Sequence, residues 1–471
     1  MIKFGLDFGT TNSSISVSFD GKNSQIIEVD KNALDSRVVR SMLYFDHREL
    51  VYGPNVKPGQ LETQNFSIGD IEYKGEQTYL IGQSAIDKYI LENRNRKPGI
   101  KRKIFTGRWI KIQYGEGSSG DPMPEYYEEI DYGTGRLIQA LKSSLRTFYK
   151  GTTIFGKYYT VEEMIGIFVK KFKDTTEKET GEIVEEITIG RPVHFSNVAT
   201  IDQKAQDRLA VAMKSAGFKK LKFQFEPVAA AKQFVSKTEG EKEIVFVFDF
   251  GGGTLDTALV ESGKNFKVLA TDGVYIGGDL LNADIMQAKL WNYFGASDSW
   301  GDQSLPVPLY IYQALNSWHS IPSLNNPDNM ELLKNIAYKH SDPQALERLL
   351  YLIKTNVGFE IYEAIEKAKK QLSENLESRI IYQDGPINLD LKITRDEFEI
   401  IINSRVEDVK EIIFKTLEKA GVKPNEVDKV LRTGGSSLIP VFADMLEEIF
   451  GKEKITLFET FTSIAAGLAL D

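Results

Sequence analysis

At 471 residues the chain is longer than a single hydrophobic core usually supports, so two or more lobes are expected. A formal net charge of −9 argues against a broad nucleic-acid or anionic-membrane surface, and a hydrophobic content of 41% is ample for burial. With no cysteine there are no disulfides, thiolate nucleophiles or Cys-metal sites, and His47, His194, His319 and His340 are too scattered for metal-ligand spacing.

In chain order, Met1 leads straight into an apolar strand, Ile2 to Leu6, with no signal-peptide pattern and no apolar run long enough to span a bilayer, so the cytoplasm is the expected compartment. The strand enters a turn, Asp7-Phe8-Gly9-Thr10-Thr11-Asn12, and Ser13 to Val17 leaves it. A turn-rich stretch follows, with Gly53-Pro54, Lys57-Pro58-Gly59 and Gly115 to Pro124, and reads as an inserted subdomain. Within it, Arg94 to Lys111 carries eight Lys or Arg and no acid. The spacing predicts a helix from Thr200 to Ala216, stopped by Gly217, then a strand Phe223 to Phe225 and a helix opening at Glu226-Pro227.

The first device then repeats. Ile244 to Phe248 enters the turn Asp249-Phe250-Gly251-Gly252-Gly253-Thr254, and Leu255 to Leu259 leaves it. Gly295 to Pro308 and Ile321 to Asp328 read as loops, followed by a long helix through Ser373. After the turn Asp384-Gly385-Pro386 come a helix Arg395 to Ala420, a strand Lys429 to Arg432, and Gly434-Gly435-Ser436 opening a helix through Phe450.

Two such hairpins facing each other can grip one polyphosphate from both sides. A tight turn stripped of side chains points backbone N–H groups at phosphate oxygens, and threonine hydroxyls add donors at small steric cost. Asp7 and Asp249 repel phosphate directly, so their expected role is to hold Mg²⁺ through its water shell. Either turn alone is an ordinary hairpin, and it is the matched pair that argues for a site. Neither is a Walker loop, since no G-x-x-x-x-G-K-[ST] opens a helix.

The pieces DFGTTNS, Gly190-Arg191-Pro192-Val193, FEPVAAA, DFGGGTLD, Ile276-Gly277-Gly278-Asp279, Glu366-Lys367-Ala368-Lys369-Lys370, Ile393-Thr394-Arg395 and TGGSSLIP resemble, in order, the ATPase portion of the DnaK-type heat-shock chaperones, within the actin, hexokinase and heat-shock ATPase superfamily. IGRPV, FQFEPVAA and TGGS, with the insertion Leu305-Pro306-Val307-Pro308, are similar to the short bacterial YegD-like members. The resemblance implies an α/β fold of the two-lobed actin-like type, with duplicated five-stranded RNase H-like sheets and inserted subdomains. Lobe I is expected over 1–242 with an insert at about 40–128, and lobe II over 243–458 with an insert at about 276–385. Residues 459–471 are expected to return to lobe I.

Carried onto this chain, the resemblance implies ATP and ADP as ligands with Mg²⁺. Gly9, Thr10, Thr11 and Asn12 are then expected to bind the β- and γ-phosphates against Gly251, Gly252, Gly253 and Thr254, with Asp7 and Asp249 on the hydrated metal. Glu226 and Asp256, with Thr254, are expected to position the attacking water; a carboxylate before Pro227 is also a favourable helix start. Lys103, in a K-x-x-x-G-R spacing, is the expected cation at the transferring phosphoryl group, with Lys101 as the register-shifted alternative. Gly278, Glu366, Lys369, Lys370 and Ser373, with Gly434, Gly435, Ser436 and Leu438, are expected around the nucleoside. Typical members carry stacking arginines where this chain has Lys370 and Leu438, so adenine selectivity is in question.

The function expected is a slow Mg-ATP-hydrolysing switch that binds nucleotide and unidentified protein partners, with a monomeric state, no nucleic acid and no membrane. The chain ends at Ile464 to Asp471, where typical members continue, so no peptide-binding domain is expected within it. A small-molecule kinase of the same superfamily and an actin-like filament former are the alternatives; Glu226-Pro227 favours the switch over the kinase.

Overall fold

The computed structural model describes residues 2–93, 100–111, 122–237, 242–263, 266–458 and 461–470. Two sheets carry the architecture, and they repeat one plan. The first contains β1 (Lys3–Phe8), β2 (Asn12–Ser18), β3 (Gln25–Ile26), β4 (Val39–Arg40), β5 (Glu186–Arg191) and β6 (Lys220–Phe225). Its order is β6-β5-β1-β2-β3, with β4 paired to β2 off the main path, so it has six strands rather than the expected five.

The second sheet contains β7 (Ile244–Phe250), β8 (Leu255–Glu261), β9 (Lys267–Val274), β10 (Lys429–Thr433) and β11 (Ile455–Leu457), in the order β11-β10-β7-β8-β9. In each sheet a central strand is antiparallel to the strand that leaves its turn and parallel to a strand that arrives much later: β1 with β2 and β5, β7 with β8 and β10. β1 is buried from Phe4 to Phe8 and β7 from Val245 to Phe250, because both of their faces are covered.

Helices cover the faces. A short α1 (Leu141–Ser144) precedes α2 (Val161–Thr180), which buries Met164, Ile165, Phe168, Val169 and Phe172 on one stripe. Its start is fixed by reciprocal hydrogen bonding between Thr160 and Glu163, and Gly181, at φ 74°, ends it. α3 (Ala199–Ser215) packs beside α2. α4 (Glu226–Lys237) lays Val228, Ala230, Ala231 and Phe234 against Val245, Val247, Ala258 and Val260 of the second sheet. α5 (Gly358–Leu372) lies in the second half, and α6 (Ser463–Leu468) packs on both α4 and β1. A β-carbon on Gly5 would press on Ala469, and one on Gly467 would press on Ala229.

The two halves also meet away from the sheets. The Tyr89 ring stands edge-on to Phe359 at 5.6 Å, and Arg40 makes a 2.8 Å ion pair with Glu363.

Several sequence expectations are corrected here. The long helix through Ser373 is three helices, Pro327–Tyr338, Pro343–Thr355 and α5, interrupted at Pro343 and at Asn356, which sits in the left-handed region at φ 56°. The helix expected from Arg395 breaks at Ile402 into Arg395–Ile401 and Asn403–Ala420. Gly434-Gly435-Ser436 does not open the helix to Phe450. A short 3₁₀ turn, Gly435–Leu438, comes first, and the helix begins at Pro440.

Candidate functional site

The hairpins deliver their glycine turns to one place. Ser41 braces the first turn: its hydroxyl donates to the Gly9 carbonyl at 2.8 Å and its N–H to the Thr11 carbonyl at 2.8 Å. The second is closed by the Gly251 N–H donating to the Thr254 carbonyl at 3.0 Å. The tips touch. A β-carbon on Gly253 would lie 3.0 Å from Thr10 Cβ, and one on Gly252 would lie 2.9 Å from Thr11 Cβ, so only glycine permits this approach.

Beneath the tips lies a pit of buried charge. Asp7 and Asp249 are the last residues but one of β1 and β7, Asp256 sits opposite Asp249 in register, and Glu226 begins α4; all four are buried. The Lys142 ammonium lies 2.5 Å from Glu226 Oε1, each side chain 7% exposed. The Val193 N–H donates to Asp256 Oδ1 at 2.6 Å, while Asp256 Oδ2 and Thr11 Oγ1 are buried without a protein partner.

Four carboxylates against one buried ammonium distort the local acid-base balance. Burial, followed by the charge of Glu226, pushes Asp7 and Asp256 up to about 7. The same two causes, with Asp256 and Asp7, hold Asp249 well above the ordinary carboxylate range. For Lys142, burial pulls downward, but Glu226, Asp7 and Asp256 carry it above its usual value. A bound cation with its water shell would relieve this crowding, and the orphaned oxygens offer it acceptors. Among the described residues, no three His, Cys, Asp or Glu side chains are arranged to ligate a metal directly.

The sign of the pH dependence follows. A carboxyl whose pKa is about 3.8 unfolded and about 7 folded holds more protons in the folded state between those values, so its contribution to stability falls as pH rises through that window and levels off above it. Replacing Asp7 by Asn removes that penalty. In nucleotide-free thermal melts, Asp7→Asn is expected to match the parent near about pH 4 and to gain on it steadily as pH rises toward about 8. A constant difference across that range contradicts the assignment.

The second turn also gathers the segments expected around a nucleoside. The Gly278 N–H donates to the Gly251 carbonyl at 3.1 Å, the Ser436 hydroxyl donates to the same carbonyl at 2.8 Å, and the Lys369 ammonium donates to the Gly278 carbonyl at 3.0 Å. Glu366 pairs with Lys369 at 2.6 Å and with Lys370 at 3.3 Å. Gly434, at φ 78°, lies against the Phe250 carbonyl, and Gly435 faces the Phe461 ring. Asn12 pairs in register with Arg40. Lys370 is 67% exposed and Leu438 is exposed. Ser373 caps the end of α5, where its N–H donates to the Lys370 carbonyl at 3.1 Å.

The structure places the expected lysine on a different element from the carboxylates of the pit. Lys103 lies on an inserted hairpin, Ile100–Ile110 with Met123–Asp131, where its ammonium sits 4.6 Å from the Tyr126 ring centroid. Lys101, the alternative, pairs with Glu128 at 2.8 Å. Neither acts on the carboxylate pit, whereas Lys142 does. The K-x-x-x-G-R spacing falls on a strand whose Gly107 turns through φ 81°. Residues 94–99 of the basic stretch, Arg94 among them, lie outside the described residues. The signal for Lys142 was faint: a single lysine between Leu141 and Leu145 in an otherwise uncharged run, 137–145.

Comparison with known proteins gives a consistent pattern. The family described as Hsp70 protein matches residues 140–297 and 354–471. A chaperone protein DnaK of Thermosipho melanesiensis is 27% identical over 364 residues, covering 76% of this chain and 51% of that protein. One of Thermus thermophilus is 26% identical over 476 residues, covering 99% of this chain and 60% of that protein. The chain thus spans between about half and three fifths of the length of these relatives.

Proposed function

This chain belongs to the Hsp70 family, and on that premise we propose that its paired turns bind Mg-ATP and that the pit beneath them hydrolyses it slowly, the ligand governing the distance between the halves. The observation that carries this reading is the contact of Thr10 and Thr11 with Gly253 and Gly252 above four buried carboxylates and one buried ammonium. The lobes are taken as 1–242 and 243–458, with 459–471 returning to the first.

In this reading the turns' N–H groups and the hydroxyls of Thr10, Thr11 and Thr254 receive phosphate oxygens. Mg²⁺, when bound, neutralises charge on the β- and γ-phosphates. Asp7 and Asp249 accept hydrogen bonds from its water shell. Glu226 and Asp256 hold the attacking water, and Lys142 opposes the charge that develops on the transferred group. Gly278, Glu366, Lys369, Gly434, Gly435 and Ser436 form the nucleoside end. Exposed Leu438 and Lys370 offer the base an apolar edge and a flexible ammonium in place of a stacking guanidinium, which weakens selectivity for adenine.

Calorimetric titration with ATP, ADP, GTP and simple sugars, joined to phosphate release without an added acceptor, tests this. Nucleotide binding and phosphate release in water alone support the switch, whereas release that requires a sugar or acid hydroxyl supports a kinase. Asp249→Asn is expected to slow Mg²⁺-dependent single-turnover hydrolysis by about 10²-fold with the fold intact. Unchanged turnover refutes the role given to Asp249.

A further inference from the structure

Lys142 stands on weak local structure. α1 is four residues long, and its preceding residue, Ala140, is held at φ 56°, an unfavourable conformation for a residue with a β-carbon. A helix this short has too few internal bonds to hold its own shape, and the carbonyls at its end need outside donors. The charge it presents nevertheless has to stay within hydrogen-bond reach of Glu226.

The donors come from one side chain 64 residues further on. Arg208, on α3, donates from Nη1 to the carbonyls of Ser144 at 3.0 Å, Leu145 at 2.9 Å and Thr147 at 3.2 Å, and from Nη2 to the Tyr149 carbonyl at 3.0 Å. Its Nε is taken by Glu162, in the first turn of α2, and the Arg208 side chain is 11% exposed. The guanidinium therefore gathers the end of α1 and the loop behind it onto the α2–α3 pair, and Glu162 fixes the orientation of the fork.

We infer that Arg208 is a positioning residue for Lys142: it holds the turn that carries the ammonium to the carboxylate pit, and so sets the rate of the hydrolysis proposed above without touching nucleotide. The inference rests on that reading of the pit. Lysine cannot replace it, because three donors on one nitrogen do not span four carbonyls. Displacements of about 1 Å at a charged group cost up to about a hundredfold in rate, so loss of the clamp has a large kinetic effect from a remote position.

The test combines Mg-ATP affinity by titration with single-turnover phosphate release for the parent, Arg208→Lys, Arg208→Ala, Lys142→Ala and the Arg208→Ala/Lys142→Ala pair. Arg208→Ala and Arg208→Lys are expected to slow release by about tenfold or more with affinity changed by less than about twofold. In the Lys142→Ala background, removing Arg208 is expected to cost nothing further, since a residue acting only through Lys142 shows no independent effect. Unchanged release, an equal loss of affinity, or a double variant slower by the product of the single effects overturns the inference. If Arg208→Ala does not fold, Glu162→Gln loosens the same clamp from behind: slower release at unchanged affinity supports the role, and unchanged release overturns it. A parent protein that neither binds nor hydrolyses Mg-ATP defeats the proposed function itself, a distinct result from a variant that keeps the parent's rate.

Discussion

Lys142→Ala is expected to reduce single-turnover hydrolysis by about 10²–10³-fold while leaving nucleotide bound, because the ammonium acts on charge that grows only as the phosphoryl group transfers. The same change strands Glu226, which is buried and, among the described residues, paired with Lys142 alone, and breaking a buried pair on one side costs about 3–5 kcal/mol. Thermal melts are therefore expected to show a loss that Lys142→Met/Glu226→Gln restores, since removing both charges leaves neither uncompensated. Activity is not restored by that pair. Lys103→Ala is the control: its ammonium rests on the Tyr126 ring on an inserted hairpin, and turnover is expected to stay within about twofold of the parent, in line with a surface substitution. If Lys103→Ala slows release and Lys142→Ala does not, the placement of the cation is wrong.

Gly252→Val is expected to abolish tight nucleotide binding with a modest loss of stability. The new β-carbon overlaps Thr11 Oγ1 and falls 2.9 Å from Thr11 Cβ, and two methyl groups add to that crowding. The turns must separate, and overpacking of this kind costs about 1–3 kcal/mol in stability. The larger effect is on binding: in the function proposed above, donors on both tips converge on the same phosphates, and a widened gap loses one set of them. Affinity for Mg-ATP is expected to fall by about a hundredfold or more, read by calorimetry. Combining the change with Thr11→Gly should recover most of the melting temperature but not the affinity, since the Thr11 hydroxyl is lost with the clash. Recovery of affinity in the pair would mean that Thr11 serves only as a spacer.

Much of the fold was legible because its signals are local. Continuous apolar strands broken by Asp-Phe-Gly turns at two places implied two hairpins, and the approach of Gly252 and Gly253 to Thr11 and Thr10 is the tertiary fact that this pattern anticipated. The buried carboxylates were legible for the same reason, as each closes or opens an element next to a turn. Lys142 was not, because its importance depends on where a four-residue helix sits in space, and neither periodicity nor charge clustering marks it. Lys103 drew attention through a charge run, a feature that solvent accounts for as readily as a site does. Helix boundaries beyond Pro327 were misjudged where one polar-apolar rhythm runs across Pro343 and Asn356, and only the backbone at those positions divides it.

The small residues along α6 have a mechanical corollary. With Gly467 seated on Ala229 of α4, and Gly5 of β1 seated against Ala465, Leu468 and Ala469, the strand that carries Asp7 and the helix beginning with Glu226 are bolted together through a third segment at backbone contact distance. Tightly packed backbones of this kind do not slide smoothly. β1 and α4 are therefore held as one block, and because α4 also packs on Val245 and Val247 of the second sheet, any change in the spacing of the two sheets has to be absorbed along α4, like play in a hinge pin.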